Sequence, residues 1–314
     1  LINTAFKSLI NYLDVVTLSN ENIQQTTTIL FQTLQDCPVI DIQAKIMNCF
    51  KYIIPTLCEI NPELLSPLIP VIAQAATEFN LPEQVILKGF AIECLGILIK
   101  NVPQIPNIEQ LLAQFILCIK SEDNMLITSG FDALIETVAG QIPQVIQVLP
   151  EALQAALEIV NQELEFKDDE DLDDDNNMMI DRYQYTCDFI EQIARTIPDS
   201  FQACYSQFHA VLANKLEDCD PRIERISLKA LSTIMRVAPP EDYLKFLEAV
   251  ANILDGTDNS KTAGLCFNIF AKFIQRHSEG KGFEVPDQYV QIMLANGISA
   301  MNRELQLQDN DDNN

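Results

Sequence analysis

Prolines recur along this chain at a nearly constant interval, and each interrupts a run of helical hydrophobic spacing. In "FKYIIPTLCEINPELLSPLIPVIAQ", "FAIECLGILIKNVPQIPNIEQLLAQFILCI", "FDALIETVAGQIPQVIQVLPEALQAAL", "YTCDFIEQIARTIPDSFQACYSQFHAVL" and "KALSTIMRVAPPEDYLKFLEAVANIL" the same pattern returns. An apolar helix is followed by a break and then by a second, amphipathic helix. The breaking prolines are Pro62, Pro103, Pro143, Pro198 and Pro240, which are 41, 40, 55 and 42 residues apart. Proline fits such breaks because it disfavours helix in the residue before it yet is tolerated in a helix's first turn. Only 9 glycines, no tryptophan and 48% hydrophobic residues are consistent with helices around a large core.

A period of roughly 40 residues is that of paired-helix HEAT units. Two helices joined by a short turn cannot cover their own apolar faces, whereas stacked pairs share a continuous core. The sequence therefore predicts an all-α superhelix, a solenoid of about seven helix pairs over residues 1–307. The expected pairs lie at 3–36, 39–79, 83–120, 123–161, 179–218, 221–255 and 260–307. In the last of them "EGKG", Glu279 to Gly282, makes the turn with glycine instead of proline. The 55-residue interval exceeds the period by about 15 residues. Its excess is assigned to an acidic insertion, 162–178, around "FKDDEDLDDDNN". Within it Asp168, Asp169, Glu170, Asp171, Asp173, Asp174 and Asp175 crowd carboxylates together, which favours a solvated loop. The acidic tail, 308–314, is expected to be disordered. The missing initiator Met and the cut apolar pattern at both ends suggest a fragment of a longer solenoid.

No catalytic constellation stands out. His209 and His277 have no Cys or His at zinc spacing, and no phosphate-cradling glycine loop or nucleophile elbow occurs. The acidic run lacks the central glycine and ordered ligand spacing of a calcium loop. The expectation is a protein that is not an enzyme and needs no cofactor or metal. The nine cysteines, scattered among Leu and Ile without a CxxC pair, read as small buried hydrophobes in a reduced compartment. No apolar run is long enough to span a membrane.

The charge is more informative. Forty-five acids against 20 bases give a net charge of −25, which repels nucleic acid and favours a basic protein partner. The imbalance persists when the insertion and the tail are set aside, so the helical array is itself acidic. If the second helix of each pair lines the concave surface, then Glu109, Glu151, Glu158, Glu217, Asp218 and Glu248 are candidates for a negative trough that holds a Lys/Arg-rich segment.

The segment "LLSPLIPVIAQAATEFNLPEQVILKGFAIECLGILIKNV", residues 64–102, resembles the middle HEAT repeats of the importin-β (karyopherin-β) superfamily. Its importin beta-3 branch is the most similar. "LKGFAIECLGILI" matches a first helix of that branch, and the acidic insertion after "QVLPEALQAALEIV" falls where the branch has one. The resemblance implies a nuclear transport receptor that shuttles between cytoplasm and nucleus. Its implied partners are basic cargo proteins bound through nuclear localisation signals, FG-repeat nucleoporins, and the Ran GTPase, whose GTP form releases cargo. The acidic run would then contact cargo or Ran. A HEAT scaffold of another kind, such as a phosphatase scaffold, a coat subunit or a ubiquitin-ligase regulator, is the alternative.

Overall fold

Short polar side chains start the helices by satisfying backbone N–H groups that have no intrahelical partner. Ser19 accepts from the Asn22 N–H at 3.3 Å, and Asp123 accepts from that of Leu126 at 3.1 Å. Asp220 accepts from the Arg222 N–H at 2.7 Å, and Asn259 from those of Lys261 and Thr262 at 3.0 Å each. Pro198, Pro221 and Pro240 sit in first helical turns, as expected of breaking prolines. Pro55 and Pro150 instead lie inside helices, on their exposed sides. There the backbone carbonyl that each leaves without a donor can turn to water.

The computed structural model describes residues 2–15, 19–78, 81–102, 105–163, 173–217, 220–257, 259–280 and 283–301. Among them are fifteen α-helices and no β-strand, so the chain has the all-α, stacked-helix architecture expected. The helices are α1 Ile2–Val15, α2 Asn20–Asp36, α3 Ile40–Ile60, α4 Leu68–Glu78, α5 Val85–Asn101, α6 Ile108–Ile119, α7 Asn124–Ala139 and α8 Val145–Val160. They continue with α9 Asp173–Thr196, α10 Pro198–Gln202, α11 Tyr205–Asn214, α12 Pro221–Ile234, α13 Pro240–Gly256, α14 Ser260–Ser278 and α15 Asp287–Met301. The chain divides into two compact units, Leu1–Gln192 and Ile193–Asn314, with the division falling inside α9.

In the first unit the odd helices α1, α3, α5 and α7 form one layer, and α4, α6 and α8 form the other. The two layers are not equally dense. Helix α5 packs along much of its length against α3 and α7, whereas α4, α6 and α8 touch one another sparsely. Close approach between α5 and α7 depends on Gly96, where an added Cβ would stand 2.5 Å from the Ala133 Cα. Accordingly α5 is buried on almost every side, from Leu87 to Ile99. Phe131 of α7 and Phe189 of α9 meet at 5.3 Å between ring centroids, which extends the odd layer to α9. The odd helices therefore form the denser layer of this unit.

Repeat phase is the principal correction to the sequence reading. The expected pairs contain the right helices, but α4 packs mainly on α5, and α6 on α7, across the expected boundaries. The link from α6 to α7 is only residues 120–123, and Asp123 caps it. Proline breaks mark both kinds of turn, so their period gives the length of the repeat without its starting point. The helices read as first in each pair are those of the denser layer.

The second unit is organised around aromatic contacts. Phe201 of α10 stacks on Phe208 of α11 at 5.5 Å, and Tyr243 of α13 stacks on Phe273 of α14 at 4.9 Å. Phe283 packs against Tyr243 at 5.1 Å, and the Tyr243 hydroxyl donates to the Phe283 carbonyl. Gly280, within "EGKG", adopts a left-handed φ of 70°, as the turn after α14 requires.

The acidic insertion also ends earlier than expected. Helix α9 starts at Asp173, so Asp173, Asp174 and Asp175 belong to its first turn and not to a loop reaching 178. Asp168, Asp169, Glu170 and Asp171 lie outside the described residues, as does the tail, 308–314.

Candidate interaction face

Three charged groups come together on the denser layer of the first unit. Lys51 of α3 projects toward Glu93 of α5 and Asp132 of α7, and its Nζ donates to both at 2.9 Å and 3.0 Å. The second oxygen of Glu93 accepts from the Ser129 hydroxyl at 2.7 Å. These positions are 42 and 39 residues apart, so they are the same repeat position on consecutive odd helices. Gly89, one turn before Glu93, lacks a side chain where Ser129 approaches; an added Cβ would stand 2.9 Å from its Oγ.

Burial shapes the protonation of the cluster. It pushes the Glu93 carboxyl up, against the opposing pull of Lys51 and the Ser129 hydroxyl. Burial alone would lower Lys51, but the charges of Glu93 and Asp132 overcome it and hold the ammonium above the ordinary lysine range. Next along the layer, Tyr185 of α9 is raised by burial and then by the negative charge of Asp132. Asp181, one turn earlier on α9 and exposed, contributes to the same negative field around Tyr185. Helices α5, α7 and α9 thus bring Glu93, Asp132, Tyr185 and Asp181 near enough to feel one another's charge, with a lysine from α3 already seated between two carboxylates.

The acids expected in a trough lie elsewhere. Glu109, Glu151 and Glu158 are exposed on α6 and α8, the sparser layer. Glu151 is paired with Lys120, and Glu158 accepts from Gln154 at 2.8 Å. Glu217 is exposed in a 3₁₀ turn after α11, Glu248 is exposed on α13, and Asp218 lies outside the described residues.

His209 stacks on Tyr205 at 5.4 Å, and burial lowers its pKa. Its neighbour Tyr205 donates a hydrogen bond to Asp242 at 3.2 Å. The eight described cysteines are all free, and burial pushes the Cys49 and Cys266 thiols up to about 12. Among the described residues no three His, Cys, Asp or Glu side chains are grouped to hold a metal ion. Among them, too, no helix is long and apolar enough to cross a membrane.

Fold and face together define an all-α helical-repeat protein whose first unit carries a coupled acidic row. No protein-family model matches the chain, and no curated protein sequence matches it. Among solved structures it is similar to an engineered protein at 14% identity and a TM-score of 0.49, covering 98% of this chain and 70% of that one. It is also similar to Kap121p bound to RanGTP, at 14% identity and a TM-score of 0.47, covering 99% of this chain. The chain spans 35% of the length of Kap121p.

Proposed function

We propose that this chain is part of a nuclear transport receptor of the importin-β kind, and that its first unit binds the Lys/Arg-rich localisation signals of basic cargo. One observation carries the reading: the charge is divided unequally between the two units. Residues 1–192 hold 28 acids and 8 bases, a net charge of −20, whereas residues 193–314 hold 17 and 12, a net charge of −5. A unit so acidic attracts a basic segment from a distance, and exposed carboxylates then form charge-assisted hydrogen bonds to it. Exposed Asp181 and part-buried Asp132, which already holds Lys51, are the contact acids, and nearby Tyr185 offers a face to a cation. Lys51, held by Glu93 and Asp132, is an internal instance of the ammonium seat that the layer supplies.

Release by Ran-GTP and passage through the pore on FG-repeat nucleoporins complete the proposal for the longer receptor. They rest on the importin-like pattern around "LKGFAIECLGILI". The reading is tested by pull-down with a Lys-rich localisation peptide, with and without Ran-GTP, at low and moderate salt. Capture that weakens with salt is expected, because surface charge pairs are screened within about 10 Å at 0.1 M ionic strength. A chain that captures no basic signal at any salt concentration overturns the reading.

A further inference from the structure

The second unit contains a feature of opposite sign, which the proposed receptor function does not use. Arg195, Arg236, Lys272 and Arg276 line one cavity of about 450 Å³, together with Ser232, Thr233 and Gln275. Four of the chain's 20 basic residues meet there, with Glu279 as the one carboxylate in the lining. Arg195, Arg236 and Arg276 are 41 and 40 residues apart, the period of the repeat. They come from the last turn of α9, the residue after the C-cap of α12 and the last turn of α14. The negative ends of three helix dipoles offset part of the repulsion between these guanidinium groups. Four cations nevertheless face one carboxylate in this lining, and partial desolvation, followed by the charges of Arg276 and Arg195, lowers Arg236. The guanidinium of Arg195 is oriented by donating to the Thr233 hydroxyl at 3.3 Å.

A second cavity of about 390 Å³ adjoins the first and shares Arg236, Phe273 and Arg276 with it. Its other walls are Gln202 and apolar or aromatic residues, notably Met235, Val237, Tyr243 and Phe283. Phe283 is 42% exposed, which leaves its ring accessible to a ligand. We infer that this pair of cavities binds a phosphorylated peptide segment, with the phosphate among Arg195, Arg236, Lys272 and Arg276 and an adjacent apolar side chain against Phe283. Guanidinium groups suit this ligand because their forked donors match phosphate oxygens in pairs. A dianion compensates more of the cluster's charge than a carboxylate does. The chain's net charge of −25 selects a short anionic segment over a long polyanion such as nucleic acid.

The test is fluorescence anisotropy on the full 314-residue chain with a labelled Gly-Phe-phosphoSer-Leu-Gly peptide. Its unphosphorylated form and inorganic phosphate serve as comparison arms. Saturable binding of the phosphopeptide is expected, weakened about 10-fold or more by Arg236→Ala and less by Phe283→Ala. Arg236 is exposed, so the variant should melt at the wild-type temperature, and melting is measured alongside. Three results overturn the inference: no binding, equal binding of the unphosphorylated peptide, or binding unchanged by Arg236→Ala. Competition by inorganic phosphate as strong as that of the phosphopeptide overturns the peptide and leaves a small phosphate ligand. Because the first unit is untouched, failure here says nothing about capture of basic signals.

Discussion

Replacing Lys51 with methionine keeps the reach of the side chain and removes its charge, which leaves Glu93 and Asp132 without their shared counter-ion. Removing one partner of a fully buried ion pair costs about 3–5 kcal/mol, and an exposed pair contributes about 0–1 kcal/mol. Here the side chains of Lys51, Glu93 and Asp132 are 26%, 10% and 20% exposed, which places the loss between those limits. We expect about 2–4 kcal/mol at pH 7.5. For a unit of this size that lowers the melting temperature by on the order of 10 °C. The effect carries a pH signature. Without Lys51, burial and Asp132 act together to raise Glu93 further. An acid whose folded pKa exceeds its unfolded value of about 4.3 destabilises the fold above the folded pKa. That penalty fades as the pH falls toward the unfolded value. The deficit of Lys51→Met relative to wild type should therefore shrink on acidification, by at most about 1.4 kcal/mol per pH unit. Urea unfolding at pH 7.5 and 5.0 measures it. A deficit below about 0.5 kcal/mol that does not change with pH would refute the view that the lysine compensates buried carboxylates.

Two glycines in helices should respond in opposite ways. Gly96→Ala would force α5 from α7, since its Cβ would meet Ala133 backbone atoms at 2.5 and 2.9 Å. A loss of about 2–3 kcal/mol is expected in thermal unfolding, even after a gain of about 1 kcal/mol in helix propensity. Gly264, inside α14, has nothing within 4 Å of an added Cβ, so Gly264→Ala should stabilise by about 0.5–1 kcal/mol. Buried thiols pushed up to about 12 at Cys49 and Cys266 and to about 11 at Cys118 should resist iodoacetamide at pH 8 in the native protein. Mass spectrometry showing early modification of Cys49 would contradict the packing of α3.

Helix positions were largely legible, because apolar spacing and proline breaks act locally. The expected boundaries at 39, 123 and 221 fall within one residue of the starts of α3, α7 and α12. Repeat phase was not legible. A period is unchanged when its origin shifts by one helix, and only packing, through Gly96 against Ala133, shows which layer is denser. The spacing of Lys51, Glu93 and Asp132 at 42 and 39 residues carries the signal of their cluster, since side chains one repeat apart meet across neighbouring helices of the same layer. The arginines at 195, 236 and 276 follow the same rule, but a net charge of −25 draws attention to the acids.

The direct test of the central claim, that the denser layer of the first unit receives basic segments, compares two neutralised variants. One carries Asp132→Asn with Asp181→Asn, and the other carries Glu151→Gln with Glu158→Gln. Each is titrated against a labelled Lys-rich localisation peptide at low salt. The pair on α7 and α9 should weaken binding by about 10-fold or more, and the pair on α8 by about 2-fold or less. Equal loss in both variants, or a larger loss from the pair on α8, would contradict the claim.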